Sequence, residues 1–467
     1  MTSATFYNLC TVGYGLGAAG FVVHVLWSWD AARRAATVTA AIAFLLHTWG
    51  MALRWFEAGV VEVAALERAL GMPLQGWTRW AVLAQHPPWS NLYEILVFMS
   101  WGLVLAALWA QVRLRIRFVG LFALSLALLA LGVASLNDSM IKPLVPALKS
   151  RWIMIHVISA SVAYACGALT ALISLLTLVQ SGQPVRLAAV ARGTMLLSAA
   201  TALVTGGRVL FATGTYPVRP FAQLPNGELV AVVRIVGTEL EPFFGPSPHV
   251  GLALMIALVF WTVTAWALYR SRRAVPGESS LVFYWIGVGA TLFVLGLMLA
   301  NGLGRTPVTV DNAGGAVLMP PPPWRLSLKS HVWDGALFTI VLLGQLFVGL
   351  ACTFPAAVRA RLPTVATLDA AAYRGATVTF LLMSVVLITG SLWAHAAWGR
   401  YWAWDPKELG ALLIWLTYAL YLHLRMTTAR ATAAPVVAVL SFFVILAGFL
   451  GVNLGWFAPG LHSYGSE

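Results

Sequence analysis

The chain has 467 residues, 60% of them hydrophobic and only 10% charged, with 29 Lys and Arg against 16 Asp and Glu and a net charge of +13. A soluble globular domain carries about 25% charged residues, so this composition excludes one and makes the bilayer the main solvent. The basic excess, which on a soluble chain would suggest nucleic acid, is instead explained by membrane topology, and no nucleic-acid partner is expected.

Apolar runs of about 20 residues have the length that crosses about 30 Å of hydrocarbon. Twelve of them predict helices near 5–29, 39–58, 92–112, 118–136, 152–179, 191–213, 249–269, 281–302, 333–353, 375–395, 408–424 and 433–453. The predicted fold is an all-α polytopic integral membrane protein. Met1 to Asp30 holds an early helix but no basic leader, so no cleavable signal peptide is expected. Alternate connections are short and basic, carrying Arg33/Arg34, Arg113/Arg115/Arg117, Arg186/Arg192, Arg270/Arg272/Arg273, Arg359/Arg361/Arg374 and Arg425/Arg430. The short set holds 15 Lys and Arg with 3 acids, and the long set 14 with 13. Positive charge concentrated in short loops faces the cytoplasm, so both termini face outward. Cys10, Cys166 and Cys352 lie far apart in apolar helices with no CxxC or CxxCH, a pattern of packing rather than thiol redox chemistry.

Three long outer connections stand out. The first, 59–91, ends in His86-Pro-Pro-Trp-Ser-Asn-Leu-Tyr-Glu94. The second, 214–248, has the turn Asn226-Gly227 and the run Leu229-Val-Ala-Val-Val-Arg-Ile-Val236, which predict a small β-hairpin. The third, 303–332, contains Pro320-Pro-Pro-Pro323, a stiff extended spacer.

The densest chemistry is Trp393-Ala-His-Ala-Ala-Trp-Gly-Arg-Tyr-Trp-Ala-Trp-Asp-Pro-Lys-Glu408, with four Trp and one Tyr in sixteen residues. On the outer face this run forms an aromatic platform suited to a large, flat, apolar ligand with a polar edge. Pro406 opens the next helix, and Asp405 and Glu408 sit where a helix N-terminus favours carboxylates.

Nine His are present without metal-ligand spacing such as HExxH. An ionisable group in a membrane is a functional candidate, and a neutral imidazole can ligate haem iron. His156 opens the fifth span and His462 lies in the tail, both on the platform's face; each also fits an interfacial or solvated side chain. His423, 17 residues after Pro406, lies about 25 Å down its helix, as a snorkelling His or a deeper ligand. His47 and His24 fit core histidines, His395 fits the water interface, and His249 and His331 each open a span.

The run from Trp393 to Glu408 resembles the "WWD" signature of membrane haem-handling proteins. Its continuation, Leu413-Ile-Trp415-Leu-Thr-Tyr418-Ala-Leu-Tyr421-Leu-His423-Leu-Arg425, is similar to the CcsA (ResC) branch, the System II cytochrome c biogenesis proteins. Pro88-Trp-Ser-Asn91-Leu-Tyr-Glu94 resembles that family's Asn-Leu-Tyr-Glu motif. Trp152-Ile-Met-Ile-His156 and Gly460-Leu-His462-Ser-Tyr464 resemble its two external-histidine segments. The four motifs stand in the family's order.

The resemblance implies that His156 and His462 are axial ligands of an external haem, and that Trp398, Tyr401, Trp402 and Trp404 pack on its face beside Asp405. It makes His423 one ligand of a transmembrane haem, the other coming from a CcsB/ResB-type partner or, less simply, from His47. Arg400 or Lys407 would meet the propionates. The implied cargo is haem b, and the implied partners are apocytochrome c with a CxxCH motif and a thiol-reducing thioredoxin-like protein. The implied place is a bacterial inner membrane with the WWD segment on the periplasmic side. The implied role is a membrane subunit of a thioether-forming synthase; a haem exporter without attachment activity is the alternative, ahead of a b-type electron carrier or a secondary transporter. The resemblance covers roughly 40–180 and 365–467. It divides the chain into 1–182 with the first external histidine, an inserted four-helix module at 183–360, and the WWD region at 361–467.

Overall fold

The computed structural model describes residues 2–85, 89, 91–113, 119–135, 139–144, 148–182, 184–203, 207–214, 216–218, 221–223, 229–231, 233–236, 239–242, 245–270, 278–301, 308–310, 316–318, 332–427 and 433–453. Helices dominate. In chain order they are α1 (Ser3–Trp27), α2 (Asp30–Leu70), α3 (Gly76–Gln85), α4 (Leu92–Arg113), α5 (Val119–Ala134), α6 (Arg151–Gln180), α7 (Pro184–Ala202) and α8 (Arg208–Thr213). They continue as α9 (Pro248–Arg270), α10 (Glu278–Asn301), α11 (Val332–Thr353), α12 (Pro355–Arg361), α13 (Val365–Trp398), α14 (Pro406–Met426) and α15 (Ala434–Asn453). Among the described residues nine helices are long and apolar enough to cross a membrane, and α5 and α15 contain shorter apolar helices. The protein is therefore an all-α polytopic membrane protein.

Each expected span falls on a helix, but several ends differ. α2 does not stop at 58. It continues to Leu70, giving 41 residues and a length of about 60 Å, twice the hydrocarbon thickness. Glu57, Glu62, Glu67 and Arg68 end the apolar run without ending the helix, which stops at Gly71 in the left-handed region (φ 68°). α3 then occupies part of the expected 59–91 loop. The span expected at 191–213 is α7 followed by the short α8.

The 214–248 connection holds three antiparallel strand pairs rather than one hairpin. These are β1 (Tyr216–Val218) with β6 (Gly245–Ser247), β2 (Phe221–Gln223) with β3 (Leu229–Ala231), and β4 (Val233–Val236) with β5 (Glu239–Pro242). The run read as one strand is thus two, each paired with a different neighbour. β7 (Val308–Val310) pairs with β8 (Ala316–Leu318) in the third connection, whose Pro320–Pro323 spacer lies outside the described residues.

The chain forms two compact units, Met1–Ser181 with Arg361–Glu467, and Gly182–Ala360. In the first, α6 packs on α4, α13 and α15, and α14 packs on α13 and α15. Their shared core includes Met383, Ile414, Tyr418, Tyr421 and Ile445, all buried. The Tyr418 hydroxyl donates to the Gly167 carbonyl at 3.0 Å, and a Cβ at position 167 would come 2.7 Å from Ile445 Cδ1. A side chain at 167 would have to displace the Ile445 methyl and the Tyr418 hydroxyl. In the second unit α7, α9, α10 and α11 pack around neutral hydrogen bonds. Gln345 Nε2 donates to Ser198 Oγ at 2.8 Å, Tyr284 donates to the Gln345 carbonyl at 3.0 Å, and Trp261 Nε1 reaches Gly287 O and Thr291 Oγ1, each at 3.1 Å.

Candidate functional site

The first unit opens into a cleft at the end where α4 and α14 begin. It holds about 1410 Å³ of space not filled by atoms, its mouth included. One wall comes from Trp89, Asn91 and the first turns of α4, and the next from Leu148 and α6 as far as Tyr164. α13 contributes Val386 to Trp393, α14 and the segment before it contribute Tyr401, Trp402, Lys407 and Glu408, and α15 contributes Gly448 and Phe449. Three segments singled out separately in the sequence thus meet around one space.

His156 lies in the second turn of α6, after the Ser150 N-cap, whose side chain accepts from the Trp152 amide. Its Nδ1 is 3.0 Å from the Val386 carbonyl on α13. A carbonyl only accepts, so Nδ1 carries the proton in this contact and the lone pair is on Nε2, the tautomer suited to metal ligation. Gly390 makes the approach possible: a Cβ there would come 2.9 Å from both Cε1 and Nδ1 of the imidazole. The Trp393 ring lies 6.0 Å from the His156 ring.

The WWD residues divide by position. Trp402 and Tyr401 line the cleft, and so does Trp393, with Trp398 packed behind it at 5.1 Å. Tyr401 stacks on His395 at 4.2 Å and 15°. Trp404 stands edge-on to Trp402 and is 71% exposed. Its φ of 59° is left-handed, a conformation that costs a non-glycine residue about 1–2 kcal/mol and here turns the chain into α14. Asp405 is the N-cap of α14, accepting from the Lys407 amide at 2.9 Å. Glu408 closes the capping box, accepting from the Ala403 and Asp405 amides at 2.8 and 3.1 Å. Both carboxylates are therefore committed to backbone donors, and Lys407 is the cation among the cleft's lining residues. Arg400 is exposed.

His423 is not in the cleft. It is exposed on α14, in line with exposed Leu409, Leu413, Leu416 and Leu420. His47 is fully buried, with Nδ1 3.1 Å from the Tyr14 hydroxyl and Tyr7 packed edge-on at 5.6 Å. His462 lies outside the described residues.

Sequence reasoning quoted Trp89 without giving it a role and missed Gly390 altogether. A glycine within a membrane helix is too common to signal a contact 234 residues away. The only available clue to Trp89 was its place just before Asn91.

The sequence is similar to that of known proteins over most of its length. Residues 89–458 match the family described as "Cytochrome C assembly protein". Relatives named "Cytochrome c biogenesis protein CcsA" include one from Trichormus variabilis, 28% identical over 441 residues that cover 91% of this chain and 96% of the relative. One from Thermosynechococcus vestitus is 27% identical over 442 residues, covering 94% and 89%. A third, from Prochlorococcus marinus, is 50% identical over 99 residues, which are 21% of this chain and 31% of the relative, so this chain is the longer one. The match spans most of the chain and every cleft segment from Trp89 to Phe449: the chain belongs to the cytochrome c assembly protein family, among CcsA-type membrane proteins.

Proposed function

We propose that this protein of cytochrome c biogenesis binds haem in the cleft and presents it for covalent attachment to the CxxCH motif of apocytochrome c, together with a CcsB/ResB-type partner. The observation that carries this reading is the 3.0 Å contact of His156 Nδ1 with the Val386 carbonyl, in a cleft walled by Trp89, Trp393, Tyr401 and Trp402. Indole and phenol faces suit a porphyrin, and Nε2 suits its iron. The polar edge fits as well. Among the described residues the buried Nε1 donors of Trp89 and Trp402 have no acceptor, and Lys407 supplies positive charge for carboxylates such as propionates.

His462 is the proposed second external ligand. His423, on an exposed face of α14, is available to a neighbouring subunit, which would supply the other ligand of a transmembrane haem. His47 is packed against Tyr7 and Tyr14 and is the weaker candidate. The cleft end of α14 lies opposite the end bearing Arg425, as the start of α4 lies opposite Arg113. With basic ends inward, the cleft faces the periplasmic side of a bacterial inner membrane. The protein's task there is positioning: thioether formation is chemistry of the haem vinyl groups and the acceptor thiols, which a thioredoxin-like partner keeps reduced.

The test is reconstitution of the purified chain with its CcsB-type partner, haem b and a reduced CxxCH peptide. Thioether product that depends on His156 is expected. Haem release without product would identify an exporter instead.

A further inference from the structure

The Asn-Leu-Tyr-Glu motif has no role in the ligand chemistry above, yet its Asn and Glu side chains are engaged and its Tyr ring lies against a guanidinium. Asn91 Oδ1 accepts from the Glu94 amide at 2.9 Å, and Asn91 Nδ2 donates to the Met140 carbonyl at 3.5 Å. Glu94, 2% exposed, accepts from Arg54 Nε at 2.9 Å. Arg54, 7% exposed, also donates through Nη2 to the Ser139 carbonyl at 2.6 Å and lies 5.4 Å over the Tyr93 ring. One guanidinium on α2 therefore ties the start of α4 to the segment at 139–140. Two turns further along α2, Glu62 accepts from the Leu144 amide at 3.0 Å and pairs with Lys149. Leu148 and Ser150 flank that Lys149: the first lines the cleft, and the second caps α6 six residues before His156.

A buried ion pair is a poor device for stability, because desolvation offsets most of its attraction and apolar side chains of similar size often do as well. Its directional contacts are what apolar groups lack. Arg54 uses two donors in fixed fork geometry and its flat face, which lysine does not reproduce.

We propose that Arg54 is a positioning residue: through Glu94 and Ser139 it sets the gap between the Trp89–Asn91 wall and the α6 wall that carries His156, and so the orientation of that imidazole toward the iron. The inference rests on haem as the cleft's ligand.

The test uses the full chain, co-expressed and purified with its CcsB-type partner and carrying haem b. Arg54→Lys keeps the charge and loses the fork. Arg54→Met combined with Glu94→Met replaces the pair by apolar side chains. Both are expected to accumulate in the membrane, to hold haem roughly 10–100-fold less tightly, the range for losing a group that orients a metal ligand, and to show a shifted axial-ligand signature in absorption and resonance Raman spectra. Added imidazole should restore that signature. A second readout needs no haem: nitroxide labels at Met140→Cys and Trp152→Cys, with Cys10, Cys166 and Cys352 replaced by Ser, should give a narrow distance distribution that broadens in Arg54→Lys. An unchanged distribution overturns the clamp whatever the haem does. Broadening with wild-type haem retention and spectrum overturns its bearing on His156. A wild-type complex without haem overturns the reading of the cleft itself, and with it any role for the clamp in ligand orientation.

Discussion

The two units hold their helices together by different chemistry. At the cleft end of the first, charged groups are directional and several are buried: Arg54 with Glu94, both buried, buried Glu62 with exposed Lys149, and the Asp405–Glu408 capping box, in which Asp405 is buried. In the second, the described interhelical hydrogen bonds are neutral, among Gln345, Ser198, Tyr284, Thr194, Trp261 and Thr291, and the charged Arg192 lies 5.4 Å over the Tyr269 ring rather than in a buried ion pair among the described residues. Neutral hydrogen bonds between membrane helices contribute on average about 0.6 kcal/mol each, enough to specify packing. Charges cost far more to bury in or near lipid. Their concentration around an aromatic cleft marks the part of the molecule whose shape matters beyond holding together.

The sharpest way to break that contrast is at the histidine. His156→Ala and His462→Ala should each reduce covalent haem on a co-expressed cytochrome c to background, measured by haem staining of denatured protein. Wild-type yields in both variants would sink the external-site assignment. Gly390→Val tests the same imidazole without touching it. Its branched side chain must enter space already within 2.9 Å of the ring, so the ring shifts off the Val386 carbonyl. Overpacking of this kind costs about 1–3 kcal/mol. Holocytochrome yield should fall at least as far as the membrane level of the protein does.

The capping box gives a smaller, diagnostic effect. Asp405 and Glu408 accept from backbone amides, so Glu408→Gln and Asp405→Asn keep acceptors in place. Both should retain most holocytochrome formation at neutral pH. Glu408→Ala removes the acceptor for two amides and should cost about 0.5–2 kcal/mol in thermal unfolding. Loss of activity in Glu408→Gln at full expression would show that the carboxylate moves a proton rather than capping the helix.

These outcomes bear on how much was legible beforehand. The helices were, because a run of about 20 apolar residues in a membrane protein has few alternatives. Their ends were less so: α2 continues through Glu57, Glu62 and Glu67 because a helix leaving the bilayer need not stop at its surface. The meeting of His156 with the platform could be anticipated from shared topology, but not its cause, since Gly390 and the Val386 carbonyl carry no chemical signature. Nor did Trp density separate Tyr401 and Trp402, which line the cleft, from Trp398 and Trp404, which stand one ring behind. Trp398 stands where α13 ends at the left-handed Gly399, and Trp404 is itself left-handed, backbone events that no side-chain pattern announces.

The smallest expected effect lies in the second unit. Gln345 donates to Ser198, but its buried Oε1 has no hydrogen-bond partner among the described residues. Gln345→Met loses the neutral hydrogen bonds to Ser198 and, weaker, to Met195 and also removes an orphaned acceptor, terms of opposite sign and similar size. Thermal unfolding in detergent should therefore change by less than about 1 kcal/mol, with the haem spectrum unmoved. Arg54→Lys, by contrast, should shift the spectrum even where unfolding changes little. A tenfold loss of covalent haem in Gln345→Met would remove the contrast between the units and place the neutral network, like the charged one, in the service of the cleft.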